Sequence, residues 1–144
     1  MKIPARELSG KECNMDININ PRDISPLSLA YIGDAVYEVY IRTHIMKDAN
    51  MPVNKLHKAA TGYVKAKAQS DIIQAISDKL TEEETAVFKR GRNAHSYTSA
   101  KNADIVDYRR ATGFEALIGY LYLSKNTARL EEIINMSIAF IEKE

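Results

Sequence analysis

Cysteine is almost absent from this chain. One of its 144 residues, Cys13, is a cysteine, which excludes an internal disulfide and fits a reducing compartment. The three histidines, His44, His57 and His95, show no zinc-ligand spacing with one another or with the cysteine. The composition therefore excludes a disulfide-stabilised domain and argues against a zinc-stabilised one.

Long apolar runs and a dominant charge are also missing. No stretch approaches the roughly 20 apolar residues needed to cross a bilayer, and residues 1–14 contain no apolar segment typical of a signal peptide. The net charge is only +1, so any basic surface for a nucleic acid must be local. We expect a cytoplasmic protein without a membrane segment.

The helix signals along the chain predict one all-α domain. The length suits a single domain, and we expect residues 1–16 to form a flexible tail and residues 17–144 the domain. Capping patterns and breaks indicate where helices begin and end. They predict helices over residues 26–46, 54–76, 82–91 and 128–141, a helix or helix pair over 104–124, and a loop at 91–103. No strand pattern, repeat or organic-cofactor motif is present.

Two isolated carboxylates lie in otherwise apolar segments. Residues 24–37 read ISPLSLAYIGDAVY, with Asp34 as the only charge, and residues 111–124 read ATGFEALIGYLYLS, with Glu115 as the only charge. Helices that are apolar nearly all round are largely buried, and an unpaired carboxylate there costs several kcal/mol. Neighbouring glycines and alanines would let the two helix backbones approach closely. Crossing helices could then bring both acids onto one metal ion.

The pattern alone leaves alternatives open. Each carboxylate could pair with a basic side chain or lie at a helix surface. Glu38, four residues after Asp34, could face the same ion or form an exposed pair with Arg42. Magnesium suits such a site because it takes oxygen ligands and keeps several waters, and it can activate water for attack on a phosphodiester. Phosphate-ester chemistry is one option among several.

Two basic segments could bind phosphates locally. Residues 55–67 carry four lysines and no acid, and residues 89–110 carry six basic residues against two acids. Basic side chains on one face bind phosphates by counterion release, and a loop rich in Arg, Gly, Asn and Ser suits phosphate and 2′-hydroxyl contacts. A solvated helix face or a mobile surface loop would explain the same residues. We interpret His95 as an incidental polar residue or a phosphate contact rather than a general base.

Several segments resemble the ribonuclease III family. LAYIGDAVYEVYIR (29–42) is similar to its signature helix, and TGFEALIGYLYL (112–123) to its second catalytic helix. RGRNA (90–94) and KNAD (101–104) resemble the Mini-III branch, a nuclease domain without a double-stranded RNA-binding domain. The resemblance implies an all-α homodimer that cleaves double-stranded RNA with Mg²⁺, or Mn²⁺ in its place, leaving 5′-phosphate and 3′-hydroxyl ends.

The resemblance also assigns roles to residues. Asp34 matches the family's catalytic aspartate and Glu115 its catalytic glutamate, and both would bind the metal. Three further acids of the wider family are replaced here, by Leu27, Ala30 and Thr112. One well-held metal is therefore the simpler expectation, with Asp104 as a candidate additional ligand.

The RNA surface follows from the same resemblance. Without a separate binding domain, affinity must come from the nuclease domain itself, so we expect strongly salt-dependent binding and recognition mostly of A-form shape. The implied physiological substrate is the 23S ribosomal RNA precursor. The predicted RNA-binding residues are Lys65, Lys67, Arg90, Arg92, Asn93, Lys101 and Arg109.

Three other functions compete with this one. A non-catalytic RNA-binding or ribosome-associated helical module would explain the missing acids and predicts no cleavage. A helical nucleotide pyrophosphohydrolase would also use magnesium, but it usually needs E-x-x-E spacing, which the acidic clusters at 82–84 and 131–132 lack. A purely structural helical dimer would leave the basic loop unexplained.

Overall fold

Six α-helices make up most of the described chain. A computed structural model describes residues 15–47, 50–94 and 104–143. The helices are α1 (Pro26–Met46), α2 (Val53–Val64), α3 (Ala66–Ile76), α4 (Glu82–Asn93), α5 (Asp104–Leu123) and α6 (Thr127–Glu142). Single 3₁₀ turns span Pro21–Asp23 and Ser77–Lys79. No described residue is in a strand, so the predicted all-α class is confirmed.

Local capping explains where several helices begin. The Ser25 side chain accepts a hydrogen bond from the Ser28 N–H at 3.2 Å, directly before the proline that opens α1. Thr81 and Glu84 form the predicted capping box, in which each side chain accepts from the other residue's backbone N–H. Asn126 caps α6 by accepting from the Arg129 N–H. These signals are local in sequence, which is why the pattern predicts them.

The segment 54–76 differs from its prediction. The sequence predicts one helix, whereas the structure has α2 and α3 separated at Lys65, whose backbone is extended (φ −62°, ψ 154°). A helix that ends leaves its last carbonyl groups without helical partners. The Gln69 side chain donates to one of them, the Val64 carbonyl oxygen, at 2.9 Å. No proline lies at the break, and a side-chain contact satisfies one of the carbonyl groups that the break exposes.

Two predicted irregular regions lie largely outside the described residues. Of the predicted loop 91–103, the first residues belong to α4, which continues through Asn93. Residues 95–103, with His95 and Lys101, fall outside the described residues. Of the predicted tail, residues 1–14 also fall outside, while Asp16 forms an ion pair with Lys125.

Helix α5 lies at the centre of the core. It contacts α1, α3, α4 and α6, and its residues Phe114, Leu117 and Ile118 are fully buried. Tyr37 of α1 meets Phe114 edge-on, with ring centroids 5.1 Å apart. Burying each such side chain contributes about 1.5–3 kcal/mol, so α5 is the element around which the others pack. Among the described residues, no helix is both long and apolar enough to cross a membrane.

Glycine brings α1 and α5 into backbone contact. A Cβ added to Gly33 would lie 1.8 Å from the Glu115 carbonyl oxygen, and one added to Gly119 would lie 2.0 Å from the Leu29 carbonyl oxygen. Neither position can hold a larger residue unless the helices separate. The close approach predicted from the small residues is confirmed.

Candidate active site

Asp34 and Glu115 meet where α1 crosses α5. The residue before Asp34 is Gly33, which rests on the backbone of Glu115, so the crossing point sets both acids side by side. The two side chains lie close enough for Asp34 to raise the pKa of the Glu115 carboxyl. Asp34 is exposed and Glu115 is partly buried, so the pair is open to solvent on the Asp34 side. The structure thus brings together the two carboxylates that the sequence pattern singled out.

The surroundings of Glu115 disfavour its ionised form. Burial is the largest cause, followed by the charge of Asp34 and the hydrogen bond to it, and the charge of Glu38 adds to them; together they raise the pKa of the Glu115 carboxyl to about 8. A hydrogen bond from Gln69 acts in the opposite direction. A bound cation would favour the ionised form of Glu115, because it would offset the charge of Asp34.

Neither acid has a basic partner in the described residues. The ion pairs there leave out both Asp34 and Glu115. The alternative in which each carboxylate is neutralised by a lysine or arginine is therefore not found in this part of the chain. A divalent cation is the chemical species that would neutralise both at once.

Glu38 lies one turn after Asp34. It forms the exposed pair predicted from the i,i+4 spacing, because Arg42 Nε donates to Glu38 Oε2 at 2.9 Å. Its charge still reaches Glu115. The side chain therefore borders the acid pair while being held by an arginine.

Asp104 is not brought to the pair. It is the exposed first residue of α5, and a rise of about 1.5 Å per residue puts it roughly 16 Å along the helix axis from Glu115. The expectation that Asp104 supplies a further metal ligand is not met in this arrangement. Within the described ranges, no group of three or more His, Cys, Asp or Glu side chains is placed to hold a metal ion.

The positions of the missing family acids hold no substitute acid. Leu27 is exposed and Ala30 is buried. The Thr112 hydroxyl donates to the Tyr108 carbonyl oxygen at 3.0 Å, inside its own helix. The protein donors in the described site are therefore two carboxylates.

Gln69 is a candidate that the sequence pattern does not reveal. It is 1% exposed, and its Nε2 donates to the Val64 carbonyl oxygen at 2.9 Å and to Glu115 Oε2 at 3.4 Å. A neutral amide in a helix of mixed polarity has neither a charge nor a spacing that marks it. Its approach to Glu115 depends on the break at Lys65, which the sequence does not predict.

Six of the seven predicted RNA-binding residues are described, and they lie on three helices and one helix break, while Lys101 falls outside the described residues. Lys65 is exposed at the break between α2 and α3, and Arg109 is exposed on the first half of α5. Lys67 is exposed on α3 and pairs with Asp71 at 2.9 Å, and this hydrogen bond raises the pKa of its ammonium group. Lys65 and Lys67 precede Gln69 by one turn or less, so they lie on the chain segment that reaches the acid pair.

The end of α4 carries the other predicted contacts. Arg90 and Asn93 are exposed there, while Arg92 lies over the Phe88 ring, 5.7 Å from its centroid. The Arg92 Nε donates to the Asn93 side-chain oxygen at 3.2 Å. This end of α4 packs tightly on α5, because a Cβ added to Gly91 would lie 2.8 Å from the Ala116 Cβ. It therefore borders the segment that holds Glu115.

Known proteins similar to this chain show which family it belongs to. A family model described as "Ribonuclease III domain" matches residues 27–126, which include both acids. The Mini-ribonuclease 3 of Clostridium tetani (strain Massachusetts / E88) is 58% identical over 123 residues, which cover 85% of this chain and 82% of that protein. The Mini-ribonuclease 3 of Enterococcus faecalis (strain ATCC 700802 / V583) is 52% identical over 119 residues, covering 81% and 90%.

A solved structure shares the fold. The crystal structure of a protein from Fusobacterium nucleatum superposes with a TM-score of 0.73 and 35% sequence identity, and the match covers 82% of this chain and 94% of that one. The resemblance of the α1 and α5 segments to ribonuclease III is thereby confirmed in sequence and in fold. The chain belongs to the ribonuclease III family of endoribonucleases and, within it, to the Mini-ribonuclease 3 branch.

Proposed function

We propose that this endoribonuclease is metal-dependent and cleaves double-stranded RNA as a homodimer. The observation that carries the proposal is the meeting of Asp34 and Glu115, two carboxylates without a basic partner in the described residues, at a fixed helix crossing. Membership of the ribonuclease III family supplies the substrate class. An inert helical fold has no need to place two carboxyl groups side by side.

The carboxylate pair fits a magnesium ion. Mg²⁺ prefers oxygen ligands and is usually held by one or two carboxylates together with several waters. Asp34 and Glu115 would hold the ion, and Mn²⁺ could take its place. Its charge would offset the burial and the repulsion by Asp34 that raise the pKa of the Glu115 carboxyl. A donor set of two acids favours one ion over two.

The remaining chemistry comes from the chain itself. When bound, the ion would supply a lowered pKa for an attacking water and charge stabilisation at the phosphodiester. Asp34, the exposed acid, faces the side from which substrate can approach. Gln69 Nε2 holds Glu115 Oε2 from the buried side. Attack on phosphorus with loss of the 3′ oxygen would leave 5′-phosphate and 3′-hydroxyl ends.

We propose that basic residues around the pair hold the duplex by its backbone. Phosphate contacts fix the register of a nucleic acid without reading its sequence, and A-form RNA is recognised by shape and 2′-hydroxyls. The exposed cations on α3, α4 and α5 flank the acids on separate elements. The proposed contacts remain Lys65, Lys67, Arg90, Arg92, Asn93, Lys101 and Arg109.

An apolar stripe on α1 supports a homodimer. Tyr31 is 83% exposed, and Leu27, Ala35 and Val39 lie on the same helix face at intervals of four residues and are exposed too. In a two-fold dimer, one self-complementary patch serves both subunits. Two α1 helices packed on this stripe would bury it and would set the two acid pairs along one surface. That arrangement suits a substrate with two strands.

We further propose that the physiological substrate is the 23S ribosomal RNA precursor. This proposal rests on the similarity to Mini-ribonuclease 3 proteins and on the RGRNA and KNAD segments. It would place the protein in the cytoplasm, where the precursor is made in bacteria. Accumulation of unprocessed precursor ends in a strain that lacks the protein would support it, and normal ends would refute it.

The direct test of the catalytic proposal is cleavage of a long labelled RNA duplex with and without Mg²⁺. The wild type should cut only with the metal, and Asp34→Asn should abolish cutting without changing the circular dichroism spectrum. Glu131→Gln, at an exposed acid on α6 that accepts a hydrogen bond from Tyr40, is the matched control and should cut normally. A wild type that binds the duplex but leaves it intact with Mg²⁺ and Mn²⁺ would favour the non-catalytic RNA-binding module.

A further inference from the structure

Gln69 touches the acid pair from the interior of the protein. Its amide nitrogen makes two hydrogen bonds, one to the backbone at the end of α2 and one to the side chain of Glu115 on α5. The same amide therefore links the α2–α3 break, where Lys65 is exposed, to one of the two carboxylates. No other described side chain joins these two places.

The orientation of this amide is fixed by its partners. The Val64 carbonyl oxygen can only accept a hydrogen bond. The same holds for the Glu115 carboxylate oxygen when Glu115 is ionised. Turning the amide over would set its oxygen against both acceptors. The nitrogen must therefore face the site, and Gln69 offers its two N–H groups to Val64 and Glu115.

The other end of the amide is left without a partner. Gln69 Oε1 is buried and has no hydrogen-bond partner among the described residues. Buried polar atoms in folded proteins are nearly always paired, so an unpaired one calls for an explanation. A residue selected only for stability at this position would be apolar. The unpaired oxygen is tolerated here because the amide nitrogen at the other end donates a hydrogen bond to Glu115.

We propose that Gln69 is a positioning residue, whose amide holds the Glu115 carboxylate in the orientation that receives the divalent cation. The inference rests on the proposed metal-dependent function of the acid pair. Groups that hydrogen-bond to a metal ligand orient it, and their loss typically weakens metal affinity or activity by about 10–100-fold. Gln69 stands in that relation to Glu115, from a helix that belongs to neither of the crossing pair.

The chain provides a matched control beside it. Ser70 is fully buried on the same helix, and its hydroxyl also lacks a partner among the described residues. It makes no contact with Glu115 that would orient the carboxylate. Ser70→Ala removes a buried unpaired polar atom and leaves the hydrogen bond from Gln69 to Glu115 in place. Gln69→Met removes the amide and keeps the length of the side chain.

The first measurement is binding of Mn²⁺ to the full-length protein by isothermal titration, without RNA. Gln69→Met should weaken Mn²⁺ binding by about 10–100-fold, and Ser70→Ala should stay within about two-fold of the wild type. Duplex cleavage by Gln69→Met should be lost at low Mn²⁺ and recover at high Mn²⁺, because the defect is in affinity. Unchanged affinity in a variant with a lowered melting temperature would overturn the proposal and leave Gln69 a structural residue.

A second measurement needs no substitution, so it decides the matter if Gln69→Met does not fold. The chain has two glutamines, Gln69 and Gln74, and the second is exposed on the same helix. In protein labelled with ¹⁵N-glutamine, Mg²⁺ should shift the side-chain amide resonances of Gln69 and leave those of Gln74 in place. Resonances of Gln69 that stay fixed while other signals report Mg²⁺ binding would overturn the inference. A wild type that neither binds the metals nor cuts the duplex would overturn the proposed function as well.

Discussion

Replacing Glu115 by glutamine should stabilise the metal-free protein at alkaline pH, even though it removes a proposed catalytic residue. The folded state raises the pKa of this carboxyl from 4.5 to about 8. Between these values the folded protein holds a proton that the unfolded chain has released, so unfolding becomes easier as the pH rises through this window. The loss of folding stability from ionising Glu115 is complete above about pH 8 and absent below about pH 4.5.

The size of the effect follows from the shift. One pKa unit corresponds to about 1.4 kcal/mol, so a rise from 4.5 to about 8 implies roughly 3–5 kcal/mol once the remaining solvent exposure is allowed for. A glutamine carries no charge to desolvate, and its oxygen can still accept from Gln69. At about 2–4 °C per kcal/mol for a domain of this size, the melting temperature of Glu115→Gln should rise by roughly 10 °C near pH 9.

A second buried glutamate provides a control of opposite sign. Glu84 is 5% exposed, and Arg129 donates to it twice, from Nε and Nη2, at 2.8 Å. The Arg129 hydrogen bond lowers the pKa of Glu84, so this pair stabilises the fold above the unfolded pKa and loses its effect as the pH falls through the folded value. Glu84→Gln strands the arginine and should cost roughly 3 kcal/mol at neutral and alkaline pH.

Thermal and urea unfolding in EDTA, from about pH 4.5 to 9, would measure both variants. Adding Mg²⁺ at about pH 8 should stabilise the wild type alone, because a ligand that binds only the folded state adds to its stability. The melting temperature of the wild type should then approach or exceed that of Glu115→Gln. If Glu115→Gln melts at or below the wild-type temperature near pH 9 in EDTA, ionisation of Glu115 does not destabilise the fold and the reasoning fails. Equal shifts for Glu115→Gln and Glu84→Gln would refute the reasoning too.

Three further predictions concern the helix crossing, the dimer and the RNA surface. Gly33→Ala puts a Cβ 1.8 Å from a carbonyl oxygen and should lower the free energy of unfolding by about 3 kcal/mol or more. Gly62→Ala, where an added Cβ meets nothing within 4 Å, should raise it by about 0.5–1 kcal/mol. Urea titration measures both variants, and a Gly33→Ala protein as stable as the wild type would contradict the close helix crossing. Tyr31→Glu should give a folded monomer in sedimentation, and a variant that stays dimeric would move the interface elsewhere. RNA binding by Asp34→Asn should weaken at least about ten-fold between 50 and 200 mM salt in filter binding, and a flat salt dependence would count against phosphate contacts.

The parts of the site that the sequence predicts are those carried by local signals. Asp34 and Glu115 are visible because each is the only charge in a long apolar stretch, and the glycines beside them indicate close packing. The caps at Ser25 and Thr81 are visible because capping residues act within three positions of themselves. In each case the physical cause lies within one turn of the residue.

The parts that the sequence does not predict depend on distant contacts. No proline or glycine stands next to Lys65, so nothing in the sequence indicates that its backbone is extended. Gln69 follows this break, and its contact with Glu115 depends on it. The pairing of Glu84 with Arg129 joins residues 45 positions apart, which no periodicity reports. The helix that begins at Asp104 is predicted, but its straight course separates Asp104 from Glu115 along the helix axis, so the two acids do not meet.

The contact between Gly33 and the backbone of Glu115 makes the crossing a pivot. An atom near a pivot hardly moves when the helix tilts, while a distant atom sweeps a wide arc. A tilt of about 10° would displace Met46, about 20 Å along α1 from Gly33, by roughly 3 Å, but would move a carboxylate some 4 Å from the contact by less than about 1 Å. Because the two acids lie beside this contact, a tilt of α1 about it would change their spacing far less than it would move the outer ends of the helix.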